Sequence, residues 1–234
     1  MALSHSPKIV TDGLVFCVDA ADKKSYSGSG TTWYDRSGNG DDLTGSGPDS
    51  NTPSFDSSNS SISFGGNGEK YQSNTNCGVV GDQTLEVVFY EDATTSPHTT
   101  IMCTDINYQY GIKLMSYKNS DRYGFWLGFG SSNYLVAITE SLVNDVTYHL
   151  LGTYKAATGE VKIYLDGVLK KTETIATTGD ISLYGGKITL GQDYHGSSNN
   201  YSLNGNIFLS RVYNKALTPD EVLQNYNATK GRFS

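Results

Sequence analysis

Short apolar segments separated by turn residues recur through most of this 234-residue sequence. The clearest is Glu160–Leu165, which alternates apolar and polar side chains, is followed by Asp166-Gly167, and is continued by Val168–Thr174. Asp-Gly is favoured in two-residue turns whose twist matches that of paired strands, so this stretch predicts a β-hairpin. About a dozen such segments, with turns roughly every 8 to 12 residues, predict an antiparallel two-sheet β-sandwich.

Only the C-terminal end has helix signals, with Thr218 as an N-cap, Pro219 in the first turn and Gly231 as a stop. The polar stretch Asp22–Asn59 predicts a long packed loop with short strand pieces. We therefore expect an all-β fold with a short C-terminal helix, in one domain over residues 1–234. Its other strands are predicted at Gly13–Ala20, Ser61–Phe64, Thr84–Glu91, Thr99–Thr104, Tyr110–Tyr117, Tyr123–Gly130, Tyr134–Thr139, Thr147–Tyr154, Lys187–Gln192 and Leu203–Asn214.

The charge pattern argues against several classes of partner. Lys and Arg number 17 and form no cluster, and the formal net charge is −7, so we expect no nucleic-acid partner. No apolar run is long enough to span a membrane, and the first 13 residues lack the apolar segment of a secretory signal. We expect a chain made in the cytoplasm that does not insert into membranes. Cys17, Cys77 and Cys103 are widely spaced and odd in number, which predicts free thiols.

The segment Trp33–Leu43 combines two glycines with closely spaced oxygen-bearing side chains. Asp35, Ser37 and Asn39 alternate as in loops that bind Ca²⁺, and Asp41 follows Gly40. An EF-hand is excluded because Ser46 stands where its bidentate glutamate would be. Two interpretations stay open, a calcium site or a turn whose side chains accept hydrogen bonds from their own backbone.

Two groups of residues have the composition of a sugar site, which needs an aromatic surface and a few polar groups. The first group is aromatic and lies on neighbouring predicted strands, with ordinary packing as the alternative: Tyr108, Tyr110, Tyr123, Trp126 and Tyr134. The second lies in the polar loop Asp193–Tyr201, with a solvated variable loop as the alternative: Asp193, Tyr194, His195 and Asn199. The predicted ligand-binding residues are Tyr108, Trp126, Tyr134, Asp193, Tyr194, His195 and Asn199.

Four blocks of sequence together resemble laminin-G-like, concanavalin A-like jelly-roll domains. They read GLVFCVDA, SGSGTTWYDRSGNGDDL, YHLLGTYKAATGEVKIYLDGVL and GNIFLSRVYNKALTPDEVLQNYNATKGRF, and the resemblance runs from about Gly13 to Phe233. The glycine-rich opening turn and the closing residues resemble variants from bacteriophage and environmental virus particle proteins. The resemblance implies a concanavalin A-like sandwich, and it implies display on a virion surface.

The resemblance also implies a structural Ca²⁺ near the first strand, the glycine-rich loop and an acid of the last long strand. Asp19 and the Gly38–Asn39 segment match that pattern, whereas Phe208 replaces the acid. The predicted metal ligands, from the resemblance and the turn spacing together, are Asp19, Asp35, Asn39 and Asp41.

The same sandwich hosts glycoside hydrolases such as laminarinases, which place three acids as E-x-D-x-x-E on one strand. Glu86 and Glu91 have the outer spacing, but Val88 replaces the middle acid. Their odd separation points them to opposite faces of a strand, whereas hydrolysis needs two carboxylates flanking one bond. His149 is expected to be a structural histidine of its strand. We therefore expect no enzymatic activity.

The sequence thus favours a lectin-like module that attaches a virus particle to host-surface glycans. Two alternatives remain. One is a structural or decoration protein that contacts other virion proteins and binds no sugar, and the other is a glycoside hydrolase-like enzyme with an unrecognised acid pair.

Overall fold

The strands predicted from apolar alternation are all present in a computed structural model, each within two residues of the predicted ends. The structure describes residues 8–48, 51–76, 79–92, 98–104, 110–117, 122–130, 132–138, 143, 146–181, 186–193 and 201–233. The strands are β1 (Leu14–Asp19), β2 (Thr32–Trp33), β3 (Leu43–Ser46), β4 (Ser54–Asp56), β5 (Ser61–Gly65), β6 (Lys70–Asn76), β7 (Gln83–Glu91), β8 (His98–Cys103), β9 (Tyr110–Tyr117), β10 (Arg122–Phe129), β11 (Asn133–Ala137), β12 (Thr147–Lys155), β13 (Glu160–Leu165), β14 (Val168–Thr174), β15 (Lys187–Leu190) and β16 (Asn204–Tyr213). The helix is α1 (Pro219–Thr229).

These strands form two antiparallel sheets. The first sheet has the order β14-β13-β12-β7-β16-β5-β4, and β1 pairs with the second half of β16 beyond the end of β5. The second sheet has the order β11-β10-β9-β8-β15-β6-β3-β2. The all-β, two-sheet sandwich with a short C-terminal helix is therefore confirmed.

Turn and cap chemistry explain the best-predicted boundaries. Asp166 and Gly167 have φ of 51° and 76°, as the hairpin turn between β13 and β14 requires. Thr218 caps α1 and forms a capping box with Glu221. The strand β6 was not predicted, because its sequence KYQSNTN has almost no apolar alternation.

The core lies between the two sheets, where alternate residues of each strand point inward. Phe125 and Leu127 of β10 are fully buried there with Leu150 of β12. Gly152 of β12 gives the Phe125 ring its space, because a Cβ at this position would lie 2.7 Å from that ring. Side chains next to Phe125 in sequence must therefore point to the outer face of the second sheet.

The glycine-rich turn is organised around the Asp35 carboxylate, which is 8% exposed. It accepts hydrogen bonds from the backbone N–H groups of Cys17 (2.9 Å), Ser37 (2.9 Å) and Gly40 (3.1 Å). The Ser37 hydroxyl also donates to it, at 2.6 Å. Asp35 thus ties the turn to β1, as expected for the hydrogen-bonded interpretation of this segment.

The outer face of the first sheet is covered by α1 and the N-terminal segment. Val222 of α1 and Val10 pack against Leu151, Tyr164 and other buried side chains of that sheet. The part of the chain that the structure describes has no helix with the length and apolar character to cross a membrane.

Beneath α1 lies a buried polar network centred on Glu86 of β7. Its Oε1 accepts from Arg211 Nη1 at 2.5 Å and pairs with His149 Nε2 at 2.8 Å. Its Oε2 accepts from Asn225 Nδ2 of α1 at 2.7 Å, and Asn225 Oδ1 accepts from the Val10 backbone N–H at 2.8 Å. One carboxylate therefore links two strands of the sheet, the helix and the N-terminal segment.

Burial alone would raise the pKa of Glu86. The Arg211 guanidinium and the hydrogen bonds from His149 and Asn225 outweigh it and lower that pKa from 4.5 to about 2. The folded state thus binds fewer protons than the unfolded state between these two values. The stability from this network is fully present above about pH 4.5 and is lost as the pH falls toward 2.

We predict that Glu86→Gln lowers the free energy of unfolding by about 3–5 kcal/mol at neutral pH, because Arg211 is left buried without a counter-ion. Urea unfolding between pH 7 and pH 2 measures this, and the variant should lose less stability on acidification than the wild type. Lys162→Gln serves as the control, since its ion pair with Glu160 is partly exposed. A pH profile identical to that of the wild type would contradict the role given to Glu86.

We also predict that Asp35→Ala costs at least about 2 kcal/mol, because several backbone N–H groups lose their acceptor. Urea unfolding with calcium and with a chelator separates the two interpretations of the turn. An equal loss in both buffers supports the hydrogen-bonded turn, whereas a loss confined to the calcium buffer supports a metal site.

Candidate functional site

The outer face of the second sheet carries an aromatic and charged cluster on β9 and β10. Trp126 of β10 is paired with Lys113 of β9, and Met115 and Tyr117 follow at alternate positions of β9. Because alternate residues share a face, these four side chains all point away from the core. No helix among the described residues packs on them, in contrast to the first sheet.

These side chains line a small concavity that we call the Trp126 pocket. Its volume is about 120 Å³. Besides the residues of β9 and β10, it includes one residue of β8 and two that flank the loop before β16. The complete lining is Thr100, Lys113, Met115, Tyr117, Trp126, Asp193 and Tyr201.

A buried ion pair lies at the base of the Trp126 pocket. Lys113 Nζ is 2.7 Å from Asp193 Oδ2, and the two side chains are 6% and 2% exposed. The same ammonium lies 4.7 Å from the centre of the Trp126 ring, within the range of a cation–π contact. Both contacts orient the indole and the carboxylate toward one small volume.

Two polar atoms of the pocket have no hydrogen-bond partner among the described residues. They are Asp193 Oδ1 and Thr100 Oγ1, and their residues are 2% and 1% exposed. Buried polar atoms are nearly always paired, because an unpaired one costs about 1–3 kcal/mol. Such atoms beside a cavity indicate a place for the hydroxyl groups of a ligand or for water.

Aromatic rings form the side of the pocket next to β8. Tyr117 packs edge-on against His98 with ring centres 4.8 Å apart, and His98 stacks on Tyr201 at 6.2 Å. Gly124 leaves room for this arrangement, since a Cβ there would lie 3.3 Å from the Tyr117 ring. Burial raises the pKa of Tyr117 to about 12, so its hydroxyl is uncharged at neutral pH.

The structure brings together two of the predicted ligand-binding residues, Trp126 and Asp193. Tyr134 is not with them, because it pairs with Leu127 and so points toward the core side of β11. There it packs on Phe129 at 6.0 Å, and its hydroxyl bonds to Thr177 at 2.7 Å. Outside the described residues lie Tyr108, Tyr194, His195 and Asn199.

The predicted aromatic group is therefore split between two faces. Tyr123 packs in the core against Phe89 at 5.1 Å, three positions before Trp126, and this odd separation puts the two on opposite faces. Lys113, Tyr117 and Thr100 were not predicted from the sequence, and Tyr201 was named only as the end of the predicted loop. Alternation along β9 was the available signal for the first two residues.

A second groove lies between α1 and the first sheet, and we call it the helix groove. Its volume is about 420 Å³ and its lining includes His149, Asp166, Tyr226, Lys230 and Phe233. Its polar groups mostly serve the fold, since His149 bonds to Glu86 and Asp166 accepts from the His149 backbone N–H at 3.0 Å. Among its described lining atoms, only His149 Nδ1 is buried without a partner. The Trp126 pocket is the better candidate despite its smaller volume.

Three of the four predicted metal ligands accept hydrogen bonds through their carboxylates, and the fourth, Asn39, donates one. The Asp19 carboxylate accepts hydrogen bonds from both Nη atoms of Arg232, at 2.7 and 2.9 Å. The Asp41 carboxylate accepts a hydrogen bond from the Thr75 hydroxyl. Asn39 donates to the Val15 carbonyl at 2.7 Å, and the Asp35 carboxylate is surrounded by the N–H groups of its turn.

Asp19 and Asp35 already accept hydrogen bonds on both carboxylate oxygens, so a calcium ion at these two residues would compete with those donors. Phe208, where the resemblance leads one to expect an acid, packs on Phe233 at 5.0 Å. No group of three or more His, Cys, Asp or Glu in the described part of the chain is placed to hold a metal. Calcium binding stays a prediction.

Glu86 and Glu91 lie on opposite faces of β7. Glu86 faces α1, whereas Glu91 Oε1 accepts from Ser116 of the second sheet at 2.8 Å. Both carboxylates are buried, at 0% and 2% exposure. They cannot flank one glycosidic bond. His149 has the structural contact expected of it, through its bond to Glu86.

Solved structures share this architecture. Domain 4 of AbnA, a GH43 extracellular arabinanase from Geobacillus stearothermophilus solved in complex with arabinotriose, aligns with a TM-score of 0.70 and 18% identity, over 91% of this chain and 98% of that one. A Trypanosoma rangeli sialidase in complex with 2,3-difluoro-KDN aligns with a TM-score of 0.65 and 14% identity, over 100% of this chain and 36% of that one.

A third similar structure is botulinum neurotoxin type C, which enters cells by interaction with two ganglioside molecules. It aligns with a TM-score of 0.64 and 15% identity, over 94% of this chain and 52% of that one. At such identities the likeness is one of fold. This chain spans nearly all of the arabinanase domain but only about half or less of the other two proteins.

No curated protein matches the sequence. A family model does match, over residues 64–223, which is well over half of the chain. That model, Laminin_G_3, describes the concanavalin A-like lectin/glucanases superfamily. Its matched region includes β7 to β16, and with them the pair of strands that carries the Trp126 pocket. The protein belongs to the concanavalin A-like lectin/glucanases superfamily, as a Laminin_G_3 domain.

Proposed function

We propose that this protein is a carbohydrate-binding module and that its sugar site is the Trp126 pocket. The observation that carries the proposal is the pair of buried, unpartnered oxygens, Asp193 Oδ1 and Thr100 Oγ1, beside the half-buried Trp126 ring. A sugar ring presents C–H groups on its face and hydroxyls on its edge. The indole fits the face, and the two oxygens fit the hydroxyls.

The comparisons support the same chemistry. The arabinanase domain was solved with arabinotriose, and the neurotoxin interacts with gangliosides. Arabinotriose is therefore a suitable first probe for this chain, followed by an array of bacterial and algal polysaccharides.

We propose binding without hydrolysis. The two acids with a hydrolase-like spacing are buried on opposite faces of β7, and Glu86 is committed to Arg211 and His149. An assay for release of reducing ends from the bound polysaccharide tests this, and release that survives Glu86→Gln and Glu91→Gln would point to another acid pair.

We also propose that the module is displayed on a virus particle and attaches it to host-surface glycans. The support is the likeness of the opening turn and the closing residues to virus particle proteins. Immunogold labelling of purified virus particles with an antibody against this protein tests the proposal. If the antibody labels the particles but the folded protein binds no glycan, the protein would instead be a structural or decoration protein of the virion.

We predict that Trp126→Ala weakens glycan binding at least about tenfold, because the aromatic surface of the site is lost. Binding is measured by calorimetry with the best glycan of the array. Tyr226→Ala is the matched control, since it removes an aromatic ring from the helix groove on the opposite sheet.

The result that supports the proposal is weaker binding in Trp126→Ala and unchanged binding in Tyr226→Ala. The reverse pattern would move the site to the helix groove. A blank array from folded wild-type protein would contradict carbohydrate binding altogether.

A further inference from the structure

The ion pair at the base of the Trp126 pocket has a consequence for the kind of glycan that the pocket accepts. Lys113 and Asp193 are the two charged residues among the described residues that line it. Their charges are opposite, and their atoms are 2.7 Å apart. The pocket therefore has no net charge from these residues.

Because the pair is buried, its lack of net charge affects which ligands the pocket can accept. The two side chains are 6% and 2% exposed, so water screens neither charge well. Removing an ion from water is costly unless a partner compensates it, and here each of the two ions already compensates the other. A third charge brought into the pocket by a ligand would find no further charged group to compensate it among the described lining residues.

The geometry favours hydroxyl groups over charged groups. Asp193 Oδ2 is held by Lys113, while Asp193 Oδ1 has no partner among the described residues and can accept a hydrogen bond from a hydroxyl. A carboxylate or sulfate in the same place would meet Asp193 as a like charge. An ammonium group would compete with Lys113 for the same carboxylate.

We infer that the Trp126 pocket selects uncharged sugar residues and rejects residues that carry a carboxylate, a sulfate or an ammonium group. The inference rests on the proposed function and specifies its ligand. The net charge of −7 acts in the same direction, because it repels acidic polysaccharides at long range. Arg122, at an alternate position to Trp126 on β10, is exposed and does not line the pocket.

The test uses a glycan array that contains matched pairs of oligosaccharides. One member of each pair is uncharged, and the other carries a terminal sialic acid, uronic acid, sulfate or amino sugar. Wild-type protein should prefer the uncharged member of a pair at least about tenfold, the penalty expected for one uncompensated charge in a buried site. Preference for the acidic members would overturn the inference but leave carbohydrate binding intact. A blank array would overturn both proposals.

Three variants test whether the ion pair is the cause. Asp193→Asn keeps the shape and removes the carboxylate that pairs with Lys113, so the preference should shift at least about tenfold toward acidic members, and more at low salt. Lys113→Met combined with Asp193→Asn removes both charges and should restore the preference for uncharged members. Arg122→Gln is the control and should leave the ratio unchanged.

Thermal unfolding of each variant shows whether it is folded. An Asp193→Asn variant that is folded and keeps the wild-type ratio would overturn the inference. If Asp193→Asn does not fold, the inference is still tested by the ratio of binding to uncharged and charged glycans in the wild type and in the double variant. A double variant that prefers acidic members would also count against the role of the pair.

Discussion

The Glu86 carboxylate, buried beneath α1, determines which outer face of the sandwich is covered. Its oxygens are bonded to two strands of the first sheet and to Asn225 of the helix, and Asn225 in turn holds the N-terminal segment through Val10. Both oxygens of this buried carboxylate are bonded, and the bond to Asn225 holds the helix against the sheet. The helix and the N-terminal segment thus cover part of the outer face of the first sheet, whereas no helix among the described residues packs on the Trp126 side of the second sheet.

The second sheet uses a buried ion pair for a different purpose. The Lys113–Asp193 pair joins β9 to the segment after β15, and the other Asp193 oxygen, at a cavity, has no partner among the described residues. Whereas every oxygen of Glu86 is engaged, Asp193 is only half engaged, and that difference separates a structural acid from a candidate binding acid. The family match accounts for the sandwich, and the candidate site must be argued from these side chains.

Sequence patterns predicted the strands well because apolar alternation is a local signal. They predicted the site only in part, because it depends on which face each residue takes and on contacts between distant residues. Trp126 and Tyr134 were grouped by composition, yet their register on β10 and β11 places them on opposite faces. The contact between Lys113 and Asp193 joins residues 80 positions apart, so no local pattern could have revealed it. The turn at Asp35 had two interpretations because spacing alone does not say whether its oxygens meet N–H groups or an ion.

The central claim is that a sugar contacts the outer face of the second sheet at Trp126. The chain has two tryptophans, Trp126 in the pocket and Trp33 fully buried in the core, so their indole N–H signals in a nitrogen-15 NMR spectrum form a probe with an internal control. Titration with the uncharged glycan that binds best should shift the Trp126 signal to saturation and leave the Trp33 signal in place. Binding of that glycan with the Trp126 signal unmoved would contradict the account.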